Sequence, residues 1–405
     1  THPSPSGGLI KRIPKSARPA RATLLSSLLR NITTHPEDNG AWRCLLSFRG
    51  SILRKPSRTG KRHNLASIIK KRTIAGDVDL NDDKPLSSVS HKNKNKNKKN
   101  AGEMLAAAVT AKVEDGNIKA AIRLMCSEEK PATDVKATYE KLLERHPRPP
   151  LNRKQAHSPD DISAIQVSEY EVMSAIRSFP AGTSDGPDGV RPQHIMDLVN
   201  CQDSGPSLLT SLTAFVNLLL DGKCSPEVSP ILFGGQLIAL VKKSGGIRSI
   251  AIGYTWRRIA AKCANNNALA SLCSYFKPIQ LGVGTPDGCE VAVHATRRFV
   301  ESMPDDHCVV KLDFSNAFNS LHRDVMLEAV LEQVPEIYKF CHSAYNNPSE
   351  LIYSGLTIHS QEGPQQGDPL GPLLYCATIN LILQSLSCKL KLAYMDDVTL
   401  GGSES

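Results

Sequence analysis

The sequence predicts an α+β fold over residues 151–405, preceded by a helical segment with a linker (residues 101–150) and a basic, mostly disordered arm (residues 1–100). Three observations predict it. Runs rich in β-forming residues recur at 237–241, 247–252 and 309–314, and again on both sides of Tyr394-Met395-Asp396-Asp397. Segments with helical periodicity alternate with those runs from about residue 160 onward. Charge is divided unevenly: residues 1–100 hold 22 Lys and Arg against 6 Asp and Glu, a net of +16, and the remaining 27 and 34 leave −7 for the rest.

Taken in order, the arm is rich in Ser, Pro, Lys and Arg, with clusters at Arg54-Lys55, Lys61-Arg62 and Lys70-Lys71-Arg72 and a Lys/Asn tract over 92–100. Such a segment suits polyanion binding by counterion release, or nuclear targeting, and equally a solvated tail. Short helices at 22–29 and 65–74 are expected only on binding. Helical periodicity follows over 101–113, 117–126 and 133–145, with Gly116 and Pro131 as breaks. His146-Pro147-Arg148-Pro149-Pro150 cannot continue a helix, so a boundary is expected there.

Residues 168–179 read as a helix with Val172, Ile176 and Phe179 on one face, ended by Pro180. The stretch 181–189 is a loop whose glycines permit close approach of backbone to a ligand. Residues 207–220 form an amphipathic helix, and the runs 237–241 and 247–252 flank Lys242-Lys243-Ser244-Gly245-Gly246 as a β-hairpin. The strand 309–314 precedes a helix at about 321–334. A further helix at about 370–387 is apolar nearly all round and is therefore expected to be buried.

Bulk properties exclude several classes. Eleven cysteines, without a Cys-x-x-Cys pair or zinc-ligand spacing, predict reduced thiols in a nuclear or cytoplasmic compartment. No apolar run approaches a membrane span, and no secretory signal is present. A chain that begins at Thr1 and stops eight residues after Asp397 reads as a fragment.

The chemistry concentrates at Asp396-Asp397. Two adjacent carboxylates at the tip of a tight hairpin repel each other unless a cation sits between them, so a divalent metal is the economical explanation. Asp313 ends an apolar strand 83 positions earlier, where burial would demand compensating positive charge. Convergence of Asp313 with the hairpin pair would hold two magnesium ions for phosphoryl transfer.

Five ordered blocks carry a resemblance. They are Ser178-Phe179-Pro180 with Gly186-Pro187-Asp188-Gly189 and Pro192; Arg248-Ser249-Ile250-Ala251-Ile252 with Trp256-Arg257-Arg258-Ile259 and Ala261-Lys262; Asp313-Phe314-Ser315-Asn316-Ala317-Phe318-Asn319; Gln365-Gln366-Gly367-Asp368-Pro369-Leu370-Gly371; and Tyr394 to Asp397. Together they resemble the reverse transcriptases of non-LTR (LINE-type) retrotransposons. The resemblance implies a right-hand polymerase with fingers and an antiparallel palm sheet, its thumb missing after the hairpin. It also implies RNA-directed DNA synthesis from dNTPs, with an RNA template, a DNA primer or target DNA, and two Mg2+ ions that Mn2+ can replace.

By the same resemblance Asp313, Asp396 and Asp397 are catalytic metal ligands, joined by the Phe314 carbonyl. Phe318 is a gate against the ribose 2′ hydroxyl, Gln366 and Gly367 line the nucleotide, and Arg248, assisted by Lys242, meets the triphosphate. Arg257, Arg258 and Lys262 fall on a helix that could face template backbone or solvent. Met395 and Ser249 depart from the family's usual small residue and proline. The alternatives are a related maturase-type polymerase and a catalytically silent nucleic-acid-binding fragment.

Overall fold

The computed structural model describes residues 10–48, 53, 67, 69, 101–243 and 245–403. In chain order the elements are α1 (Arg18–Thr34), α2 (Asn39–Leu46), α3 (Ala101–Glu114), α4 (Ile118–Cys126), β1 (Lys130–Pro131), α5 (Val135–Arg145), α6 (Glu169–Arg177), α7 (Pro192–Val199) and α8 (Gly205–Leu220). There follow β2 (Gly235–Val241), β3 (Ile247–Gly253), α9 (Thr255–Phe276), α10 (Gly288–Glu301), β4 (His307–Asp313), α11 (Arg323–Gln333), α12 (Tyr338–Tyr345), β5 (Ser349–Tyr353), β6 (Leu356–Ser360), α13 (Gly371–Ser385), β7 (Leu390–Tyr394) and β8 (Asp397–Ser403). One-turn helices lie at Ser229–Leu232 and Ala317–Ser320. This is a mixed α/β architecture, as the interleaved periodicities require.

The chain divides into two compact units, the first comprising Thr1–Thr133, Ser168–Phe215 and Ala239–Arg248, the second Asp134–Val167, Val216–Ile238 and Ser249–Ser405. In the first, the expectation of a mostly disordered arm fails over residues 18–46. Helix α1 buries Ala22, Leu25, Leu29 and Ile32 completely, a spacing of three and four that a Ser- and Arg-rich composition masks. Trp42 of α2 is fully buried 5.6 Å from the Phe215 ring, and its indole N–H donates to the Pro36 carbonyl at 2.9 Å. The buried Asp197 carboxylate of α7 accepts the Ile13 N–H at 3.1 Å and pairs with Arg18 at 3.2 Å and Arg12 at 3.5 Å. The Lys/Asn tract and the expected helix at 65–74 lie outside the described residues, apart from residues 67 and 69.

Capping explains where the following helices start. The Asn117 side chain accepts from the Ala120 N–H at the head of α4, and Ser168 with Glu171 forms a capping box on α6. Gly182, expected to admit a ligand, instead sits where a Cβ would fall 2.8 Å from the Asp115 carboxylate. Lys112 and Asn117 donate to the Gly182 and Ala181 carbonyls at 2.8 and 2.7 Å, so that loop is tied to α3 and α4.

In the second unit, α5 starts on Asp134, which accepts the Ala137 N–H, and Tyr139 donates to the Thr357 carbonyl at 3.0 Å. The break expected near residue 150 is therefore displaced to 133/134, because α5 buries Leu142 within this unit. Gly235 and Gln236 of β2 pair in parallel with Leu351 and Ile352 of β5, whose hairpin partner is β6. A separate antiparallel sheet has the order β4-β8-β7. Helix α13 buries Leu373, Leu374, Tyr375, Cys376 and Ala377, as its all-round apolar sequence requires. Among the described residues no helix is long and apolar enough to cross a membrane, and all eleven cysteines are free.

Trp42→Ala removes a fully buried indole from α2 and is expected to cost about 3–5 kcal/mol. Urea denaturation of the full chain followed by circular dichroism measures it, and a loss below about 1 kcal/mol would contradict a packed N-terminal segment.

Candidate active site

The β4-β8-β7 sheet sets the positions of the acidic residues. Asp313, the last residue of β4, lies directly opposite Asp397, the first of β8, and Tyr394 at the end of β7 is the other partner of Asp397. Directly opposed side chains share one face of a sheet, so Asp313 and Asp397 project together. Met395 and Asp396 form the two-residue turn between β7 and β8, with Met395 in the left-handed region at φ 56°. That conformation costs a residue with a Cβ roughly 1–2 kcal/mol.

The three carboxylates sit in different surroundings. Asp313 and Asp397 are exposed, so the compensating charge that burial of Asp313 would demand is not required. The Lys311 ammonium, two residues before Asp313 on the same face, lies 3.3 Å from Asp397. Asp397, Lys311 and Thr399 line a groove of about 650 Å³ against Cys289, Thr296 and Arg297 of α10. Asp396 is half-buried and faces α13: burial, reinforced by the negative charge of Asp396, pushes the Tyr375 hydroxyl and the Cys376 thiol well above their ordinary values. Phe314, just past the end of β4, is 38 % exposed.

Phe318 stacks on Tyr375 with ring centroids 4.8 Å apart and planes 19° from parallel. The expected gate aromatic thus rests on the same tyrosine that senses Asp396. Its backbone is fixed from two sides. Asn316 and Asn319 both donate to the Arg145 carbonyl, at 3.0 and 2.9 Å, and a Cβ on Gly363 (φ 60°) would fall 1.8 Å from the Phe318 carbonyl oxygen. Only glycine fits at 363. The sequence reading missed Gly363, although a glycine placed between Glu362 and Pro364 is a turn signal.

Gln366 is half-buried and Gly367 exposed. The Gln366 carbonyl accepts the Ala251 N–H at 2.7 Å, and a Cβ on Gly367 (φ 120°) would lie 2.4 Å from the Ala251 carbonyl oxygen. The backbone of β3 alone therefore demands glycine at 367. Arg248 and Lys242 belong to the first unit, where Arg248 pairs with Glu129 at 3.1 Å and the Lys242 N–H closes the hairpin turn onto the Gly246 carbonyl at 2.7 Å.

Arg257 overturns the reading of a helix face turned to template or solvent. It is 1 % exposed. Its guanidinium donates to the Asp368 carboxylate at 2.5 Å, to the Gln365 side chain at 2.6 Å, to the Tyr345 hydroxyl at 3.0 Å and to the Phe233 carbonyl. Tyr345 also donates to Asp368. Burial opposes the charge on Arg257, but Asp368 and Tyr345 outweigh it and hold the guanidinium more firmly protonated than usual, while burial and Asp368 push the Tyr345 hydroxyl well above its ordinary value. Arg258 is buried too. Arg323, completely buried, donates to the Gly363 carbonyl at 3.1 Å and the Ser360 hydroxyl at 2.8 Å. Arg323 holds the 362–371 loop at Gly363, and Arg257 holds it at Gln365 and Asp368.

The model of the reverse transcriptase (RNA-dependent DNA polymerase) family matches residues 240–405. Those residues carry a reverse transcriptase domain. The match takes in all three carboxylates, Phe318 and the loop pinned by the two arginines. By class the domain is an RNA-directed DNA polymerase, a nucleotidyltransferase, whose substrates are a nucleic-acid template, a primer and dNTPs. No curated protein matches the chain.

Reverse transcriptases use divalent ions such as Mg2+, and the donor set fits one. Asp313 and Asp397 offer hard carboxylate oxygens, open to solvent so that an ion can retain its waters, and Lys311 already supplies a cation against Asp397. Among the described residues, no three His, Cys, Asp or Glu side chains close into a ready-made cage.

Asp368→Ala strips the buried Arg257 of its carboxylate and is expected to destabilise the full chain by about 3–5 kcal/mol. Thermal and urea unfolding measure the change. A loss below about 1 kcal/mol would mean that the cluster does not hold the loop.

Proposed function

We propose that this domain synthesises DNA on an RNA template as part of a non-LTR retrotransposon polymerase, with the β4-β8-β7 sheet as its palm and the β2-β3 hairpin in its fingers. The observation that carries the proposal is the register that sets Asp313 against Asp397 with Asp396 on the adjoining turn. Asp313, Asp396, Asp397 and the Phe314 carbonyl would hold two magnesium ions, which when bound supply charge neutralisation at the attacking and leaving oxygens of the in-line displacement. The carboxylates orient the primer end and the triphosphate, since catalysis of phosphoryl transfer consists mostly of positioning and electrostatics.

Phe318 selects the sugar. A ring braced against Tyr375 and held through Gly363 and Asn319 cannot retreat to admit a 2′ hydroxyl, so dNTPs are favoured over NTPs. Gln366 hydrogen-bonds the incoming nucleotide, and Gly367 leaves open backbone beside it. Arg248 and Lys242 are proposed, from the resemblance, as phosphate-binding groups. Eleven free thiols support a reducing nuclear or cytoplasmic setting.

Addition of a single dNTP to a primed RNA template by the full chain with Mg2+ is the test, because one addition needs no translocation. The wild type is expected to extend the primer, and Asp313→Asn and Asp396→Asn are expected to reduce extension to background. Undiminished extension by Asp396→Asn would overturn the ligand assignment. Phe318→Ala is expected to raise the use of NTPs relative to dNTPs, and unchanged sugar preference would remove the gate. Salt-sensitive RNA binding by a wild type that adds no nucleotide would favour a silent nucleic-acid-binding domain instead.

A further inference from the structure

We propose that Gln280 is a positioning residue that sets the carboxylate-bearing turn; its catalytic consequence rests on the polymerase reading above. Gln280 is completely buried. Its side-chain oxygen accepts the Met395 N–H at 2.8 Å and the Gly282 N–H at 3.2 Å, and its side-chain nitrogen donates to the Met395 carbonyl at 3.3 Å. One amide thus satisfies both backbone groups of the residue held at φ 56°, immediately before Asp396. A carboxamide presents an acceptor oxygen and a donor nitrogen side by side on one carbon, as the adjacent N–H and C=O of Met395 require, and Gln has a longer reach than Asn.

The seat of this side chain does not depend on the side chain itself. Around Gln280 the main chain runs alongside β7: the Leu281 N–H donates to the Ala393 carbonyl at 2.7 Å, the Ala393 N–H donates to the Ile279 carbonyl at 2.8 Å, and the Gln280 N–H donates to the Phe276 carbonyl at the end of α9. Gly282 then lets the turn come close, since a Cβ there would fall 2.5 Å from the Met395 nitrogen. The segment 279–282 is a cradle whose backbone grips the strand and whose amide grips the turn. A two-residue turn with a strained first residue has alternative conformations, and each of them moves Asp396 relative to Asp313 and Asp397. The amide selects one.

The test compares the full chain with Gln280→Leu and Gly282→Ala, by hydrogen exchange over residues 390–400 and by the kinetics of single dNTP addition. In Gln280→Leu, exchange in that segment is expected to rise about tenfold while α13 stays at its wild-type rate. kcat is expected to fall about 10- to 100-fold, with KM for the dNTP nearly unchanged. Gln280→Glu keeps the two accepted bonds but sets an oxygen against the Met395 carbonyl and buries a negative charge, so its turn exchange is expected to exceed wild type and its kcat to fall. Should Gln280→Leu fail to fold, Gly282→Ala pushes the turn off the same cradle with the amide intact and is expected to show the same local exchange. Turn exchange equal to wild type, exchange raised equally in α13, or a rise in KM at constant kcat would overturn the proposal. An inactive wild type would sink the polymerase reading, and the exchange comparison alone would then decide for or against the cradle.

Discussion

Seven consecutive residue pairs hold β4 on β8, and everything proposed for the site depends on that register. Side chains alternate along a strand, so a slip of one residue would turn Asp313 to the opposite face from Asp397. Burial fixes the register: Val398 and Ala393 are fully enclosed on one face, which leaves Asp397 and its partners on the other. A second pin lies farther along β8, where Gly401 has no Cβ and Phe299 of α10 takes its place; an added Cβ would fall 2.6 Å from that ring. Asp313 and Asp397 are exposed because Val398 and Ala393 take the buried face of the same sheet.

The remaining parts of the site are held by buried charge. Arg257 and Arg323 carry their guanidiniums into the second unit and meet the 362–371 loop at Gln365, Asp368 and Gly363. That loop presses on the Phe318 backbone at one end and on β3 through Gly367 at the other. Breaking a buried pair leaves an uncompensated charge, which costs far more than losing a surface ion pair. Buried residues therefore fix where the Phe318 ring and the 362–371 loop stand, the groups proposed as gate and nucleotide lining. Such an arrangement suits a reaction whose catalysis is positioning.

Much of this was legible in the sequence, and the reasons differ by element. The hairpin around Asp396-Asp397, the strand ending at Asp313, and helices α3, α4, α6 and α13 follow from local periodicity and capping, and the structure has them within a few residues. Helix α1 is legible only as a short helix at 22–29 expected on binding, because Ser and Arg dilute its apolar positions, and α2 is too short to show a period; the buried Trp42 and Leu25 reveal the packed face. Arg257 was misread because an arginine is ordinarily exposed, and its partner Asp368 is 111 residues away. Gly363-Pro364 signals a turn but not what the turn rests on, and Gln280 carries no signal beyond its residue type, since what both hold is set by approaches between distant segments of backbone.

On the proposed function, Asp313 and Asp397 share a cation. Anomalous diffraction at the manganese edge, from crystals of the full chain grown with Mn2+, measures this directly. A shared cation gives a peak at about 2.1 Å from carboxylate oxygens of both residues, with Lys311 displaced from Asp397. A peak on neither residue, or on Asp397 alone, would contradict it.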